Sequence, residues 1–128
     1  MFWYRCFLCL SRFNLVGTTV YNQEKMPHHL LCDEFHTRLR GVKIYVATTV
    51  AQDCFLGVQS CEQVGEKSLQ EAYGVFKTET QQVFQAYSPS DINVDGWAAT
   101  QNALSNLFNE SVLIECYLHA FIKIRDRC

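Results

Sequence analysis

From His29 to Val58 the chain reads as short apolar runs with partial two-residue alternation, and from Ser68 onward apolar residues recur at helical spacing. Leu30-Leu31-Cys32-Asp33-Glu34 reads as a short strand ending in acids, and Thr37 to Gly41 as a polar, basic turn. Val42 to Val50 is a β-branched run, with Val42, Ile44, Val46 and Thr48 on one side and Lys43, Tyr45 and Ala47 on the other. Gln52-Asp53 makes the next turn, and Cys54 to Val58 a third strand. Strands joined this tightly predict an antiparallel meander.

Ser68 and Glu71 have the spacing of a capping box. Leu69, Ala72, Tyr73, Phe76, Val83, Phe84 and Tyr87 then supply one apolar helical stripe, which Ser88-Pro89-Ser90 ends. Ile92 to Val94 is a short buried strand, Asp95 its end, and Gly96 the turn into a helix from Trp97 to Phe108, whose stripe is Ala99, Ala103, Leu104, Leu107 and Phe108. Val112 to Ile114 reads as a fifth strand and Tyr117 to Arg127 as a helix. Residues 1–28 show no clean period and are taken as a lead-in segment. The order β-β-β-α-β-α-β-α is that of an α/β fold of RNase H-like type, a mixed sheet expected to be incomplete at its C-terminus over residues 29–128.

A chain of 128 residues suffices for one domain with a real core. Its apolar runs are too short for a membrane span, and the apolar start MFWYRCFLCL is interrupted by Arg5 and lacks a small-residue cleavage site. A net charge of -2 excludes a strongly basic nucleic-acid-binding domain, though not a nucleic-acid enzyme with local basic surface. The seven cysteines, odd in number and partly on strands, predict reduced thiols in a cytoplasmic protein. Cys6 and Cys9 have zinc-knuckle spacing, and Cys116 with His119 would complete a tetrad, but one C-x2-C in an apolar leader is weak support for zinc.

The candidate chemistry lies in two acids. In the predicted layout Asp33 ends the first strand and Asp95 the fourth; those strands are neighbours, so both carboxylates meet at one edge. Hard oxygen ligands of this kind suit Mg2+ or Mn2+. Against this stands the plain reading of Asp95-Gly96 as a turn and of Asp33 and Glu34 as strand-end acids facing water. Glu34 is an alternative ligand, but alternation points it away from the side of Asp33. His36 would orient a metal-bound water or simply occupy a turn. Trp97 would stack on a base or, more simply, pack in the core. Glu115 would be costly if buried unpaired in its apolar strand. Lys123, Arg125 and Arg127 form a basic helix end suited to phosphates or to the helix dipole.

Asp33-Glu34-Phe35-His36-Thr37, Lys43 to Val50, Val94-Asp95-Gly96-Trp97 with Ala99-Thr100-Gln101, and Cys116-x2-His119, in this order, resemble a bacterial insertion-sequence transposase of the DDE type, the C-x2-H feature being shared with Mutator-like transposases. The resemblance covers roughly residues 15–128. It implies DNA transposition, with Asp33 and Asp95 as metal-binding catalytic acids, Mg2+ or Mn2+ as cofactor and transposon-end DNA as partner of the full-length form. It further implies His36, Cys116 and His119 as supporting residues, the last two as a thiol–imidazole contact in the site wall. Membrane association is not expected, and assembly of several copies is left open. The family's third acid, usually a Glu on a helix after the fifth strand, has no clear counterpart, Asp126 being badly placed. Nor does any stretch resemble the family's separate DNA-binding domain. The chain is therefore expected to be a fragment, inactive alone, with exposed apolar surface where further elements would pack; the alternative is a non-catalytic α/β remnant or scaffold.

Overall fold

The computed structural model describes residues 16, 20, 23–52, 54–63 and 65–127, without the side chains of Gln23, His119, Ala120 and Lys123. Cys6, Cys9, Asp53 and most of the lead-in segment lie outside the described residues. A short 3-10 turn, Gln23–Lys25, precedes β1 (His29–Leu39), β2 (Val42–Ala51), β3 (Cys54–Cys61), α1 (Glu66–Val83), β4 (Asp91–Val94), α2 (Ala98–Leu107), β5 (Val112–Glu115) and α3 (Tyr117–Arg127). This is the element order read from the sequence. The five strands lie in the order β3-β2-β1-β4-β5. The β3-β2-β1 half is antiparallel, and β4 and β5 add in parallel to β1.

Two boundaries differ from expectation in ways that matter. The first strand does not end at the acids. It continues to Leu39 because each residue from Leu31 onward pairs with β2, from Leu31 with Val50 to Leu39 with Val42. The reversal is confined to Arg40 and Gly41, both at positive φ (49° and 81°), the handedness that two-residue hairpins need. Asp33 therefore sits in mid-strand, and Thr37 to Leu39 are strand, not turn. The second difference is the start of α1, at Glu66 with Gly65 as its N-cap and no side-chain capping bond, so Ser68 and Glu71 form no capping box. That helix also stops at Val83, and Tyr87 reaches the core from the loop beyond, its hydroxyl donating to the Pro27 carbonyl at 2.6 Å.

The core lies between the sheet and the α1–α2 pair. Leu30 and Cys32 of β1, Ala47 and Ala51 of β2, Leu56 of β3 and Ile92 and Val94 of β4 face Leu69, Ala72, Tyr73 and Phe76 of α1 and Ala103 and Leu104 of α2. Val16 and Val20, from the stretch before β1, join them. Lys77 ties the two helices: its ammonium donates to the carbonyl of Leu107 at 2.6 Å, satisfying one of the orphan acceptors at the end of α2. Glu115 is exposed and has partners, so the expected cost of burying it does not arise. Val112 and Ile114 of the edge strand β5 and Tyr117, Leu118, Phe121 and Ile124 of α3 are exposed, as are Leu31, Phe35, Val42 and Phe55 of the other strands. No described helix is long and apolar enough to cross a membrane.

Ile92 has no exposed surface at the junction of β1, β5 and both helices. Ile92→Ala is expected to lower unfolding free energy by about 2–5 kcal/mol in a urea titration. Burial above all pushes the Cys32 thiol up to about 12, whereas Cys54 is exposed. Alkylation of the native chain should modify Cys54 and spare Cys32 until denaturant is added, as peptide mass mapping would reveal.

Candidate metal centre

The parallel pairing of β4 with β1 sets the geometry. It joins His29 with Asp91, Leu30 with Ile92 and Leu31 with Asn93. The same offset, two residues on, brings Asp33 opposite Asp95, just where β4 has ended and β1 has not. Gly96, at φ 82°, turns the chain away there, and the Trp97 amide donates to Asp95 Oδ1 at 3.0 Å, which orients the carboxylate. Asp33 Oδ1 accepts from the Glu34 amide at 2.9 Å, and the Thr48 hydroxyl of β2 donates to the Asp33 carbonyl at 2.9 Å. Both sequence-predicted acids thus come together at one edge of the sheet.

A third acid joins them. Carboxylate oxygens of Asp33, Glu34 and Asp95, one from each, lie within 4.8 Å of one another. Alternation holds as far as it goes, since Asp33 is exposed and Glu34 buried on the opposite, helix-covered side of β1. Yet the longer Glu34 side chain reaches back to the strand end. It is 7% exposed, and its Oε1 accepts two hydroxyl donors, Tyr73 of α1 at 2.5 Å and Thr100 of α2 at 2.9 Å. Among the described residues its Oε2, also buried, has no hydrogen-bond partner. Burial raises the Glu34 carboxyl above its ordinary 4.5; the two hydroxyls oppose the rise, and the charges of Asp95 and Asp33 add to it. The Tyr73 phenol is raised far above its usual range, first by burial, so it remains a donor.

The supporting residues divide. His36 is exposed and outside the acid cluster; its ring stands edge-on to Tyr45 at 4.7 Å and 6.1 Å from Trp97. His36 stands within β1, not in the turn considered for it. Cys116 follows the β5 residue paired with Val94, and its amide donates to the Val94 carbonyl at 2.7 Å, so it stands level with Asp95. The His119 side chain lies outside the described residues, and so does the expected contact with Cys116. Arg125 pairs with Asp126 at 2.9 Å, both exposed. Sequence pattern counted Tyr73 as plain core and gave Thr100 no role beyond its place in the Ala99-Thr100-Gln101 stretch. The available signal was Glu34 itself, an acid in phase with the buried Leu30 and Cys32.

No family model matches the sequence, and no curated relative does. Among solved structures, the chain resembles the simian T-cell lymphotropic virus intasome in complex with PP2A regulatory subunit B56 gamma, at 12% identity and a TM-score of 0.51 over 80% of this chain. It spans 38% of that chain. It also resembles the HTLV-2 integrase catalytic core domain in complex with magnesium. The trimeric form aligns at 14% identity and a TM-score of 0.48, over 80% of this chain and 67% of that one. The dimeric form aligns at 15% identity and 0.47, over 77% and 67%. At such identities the likeness is one of fold, and it agrees with the topology: the chain has an RNase H-like mixed α/β fold.

The raised carboxyl of Glu34 gives a signed expectation. A folded-state value above the unfolded one favours the folded chain below about 4.5, and that contribution is lost as pH rises through the raised value. Glu34→Gln retains an acceptor for Tyr73 and Thr100 and carries no charge. In metal-free buffer it is expected to melt above the wild type at neutral pH, with the gap closing on acidification; an equal gap at all pH values would contradict the assignment.

Proposed function

We propose that this chain is a portion of the catalytic core of a DDE-type DNA transposase, of the bacterial insertion-sequence class, with Asp33 and Asp95 as the acids that hold Mg2+ or Mn2+. The observation that carries the reading is the approach of these two carboxylates, from residues far apart in sequence, at one rim of an RNase H-like sheet. In open α/β sheets ligands collect in the crevice beyond the strand ends, next to a helix start, and Asp95 stands at such a place before α2.

The donor set fits the ion. Its ligands are carboxylate oxygens, the hard donors these cations take. Two oxygens sharing Mg2+ at about 2.1 Å are at most about 4.2 Å apart, so a span of up to 4.8 Å closes with a small side-chain rotation. When bound, such ions activate a water or 3'-hydroxyl and stabilise the leaving oxygen of a phosphodiester. The protein's own part is positional: the Trp97 amide orients Asp95, and the β2 pairing that includes the Thr48 hydroxyl holds the backbone at Asp33. Arg38, Arg40 and Lys43, all exposed at the β1–β2 hairpin tip, supply local positive charge for DNA phosphates on a chain of net charge -2. Transposon-end DNA is the substrate in this reading. The C-x2-H pair, Cys116 and His119, has a supporting role in this reading.

Mn2+ or Mg2+ is expected to raise the melting temperature of the wild-type chain, by the equivalent of about 2.7 kcal/mol at a hundredfold excess over Kd. The rise should vanish in Asp33→Asn and in Asp95→Asn. Absence of any metal response, with both Asn variants as stable as the wild type, would instead support a scaffold without catalysis.

A further inference from the structure

The side chain with the least evident reason to be where it is, on stability grounds, is Glu34. It occupies the core-facing phase of β1, between α1 and α2, where an apolar residue would avoid the cost of burying a carboxylate. Two hydroxyls from two different helices hold it, and both donate to the same oxygen. That arrangement fixes the carboxylate plane while leaving the second oxygen buried and, among the described residues, unpartnered. A structural hydrogen-bond network would be expected to share its donors between the two oxygens, because each unsatisfied buried acceptor is costly. Here both donors meet Oε1, and carboxylate oxygens of Asp33 and Asp95 lie within 4.8 Å of a Glu34 oxygen. Three carboxylates gathered within 4.8 Å repel one another, and a cation shared among them relieves that repulsion.

We propose that Glu34 is a third carboxylate ligand of the divalent cation, and that Tyr73 and Thr100 are the positioning residues that aim it. The inference rests on the two-aspartate reading above and deepens it: the chain carries a three-acid site built from β1 and the end of β4, without an acid from beyond β5. Tyr73 and Thr100 do for Glu34 what outer-shell donors do for metal-binding carboxylates, fixing the ligand before the ion arrives. Because they come from α1 and α2, the site's geometry is coupled to the packing of both helices on the sheet.

The test is a titration of the full chain with Mn2+, read by calorimetry and by loss of the free-ion paramagnetic resonance signal. Melting curves in metal-free buffer serve as the folding control. Glu34→Gln, Asp33→Asn and Asp95→Asn are each expected to weaken binding at least about tenfold while remaining folded. Tyr73→Phe and Thr100→Val are expected to weaken it by about tenfold each, the range typical of outer-shell losses. A purely structural role for these hydroxyls would change the melting temperature and leave Mn2+ affinity unmoved, which would overturn their assignment. Wild-type affinity in Glu34→Gln, with binding lost in both Asp variants, would overturn the role of Glu34 and leave the two-aspartate reading standing. No Mn2+ binding by the wild type, or binding unaffected in Asp33→Asn and Asp95→Asn, would overturn both.

Discussion

Three residue pairs between β1 and β4 carry the geometry of this protein: His29 with Asp91, Leu30 with Ile92 and Leu31 with Asn93. They are supported from two directions. On the core side Leu30, Ile92 and Val94 are buried against the helices, so a slip of one residue would turn an apolar set outward and a polar set in. At the strand entry the His29 ring nitrogen meets the Asp91 carboxylate at 2.6 Å, and the Ser90 amide bonds the His28 carbonyl at 2.8 Å. The Val112 amide bonds Ser90 in turn, at 3.0 Å, so β1, β4 and β5 start level. Because β4 ends after Val94 while β1 runs on beside β2, the sheet has a step, and the acids stand on it.

That step explains how an exposed acid and a buried one can serve one place. Within a continuous sheet Asp33 and Glu34 would be separated by the thickness of the strand. At the step nothing from β4 intervenes, and the longer glutamate reaches around to its neighbour. The aromatic rings of His36, Tyr45 and Trp97 lie beside it, and the hairpin beyond carries Arg38, Arg40 and Lys43. Along β1 the His36–Tyr45 pair thus stands between the acids and the basic tip, a distribution of charge and shape that net composition conceals.

Stability and chemistry pull against each other at Glu34. Its two hydroxyl bonds offset part of the desolvation, but Asp33 and Asp95 raise the cost again. Such a residue persists where the folded state is stabilised elsewhere, here by the apolar layer of Leu30, Ile92, Tyr73 and Leu104 that surrounds it. Val112 and Ile114, exposed on β5, lie on the edge strand and outside this layer.

The element order, the parallel and antiparallel halves of the sheet, the core stripes of α1 and α2 and the meeting of Asp33 with Asp95 were legible in the amino-acid sequence, because each follows from local period and turn chemistry. What tertiary structure alone decided was where each strand stops relative to its neighbour. Alternation along β1 put Glu34 on the side away from Asp33, which the fold makes the core side, and so argued against it as a ligand, since a local pattern carries no information about the end of β4. Nor could it reveal that Tyr73 and Thr100, thirty-nine and sixty-six residues further along, would close on the same carboxylate oxygen. Hydrophobic period determines which face a side chain occupies; only the packed arrangement of sheet and helices determines what waits for it there.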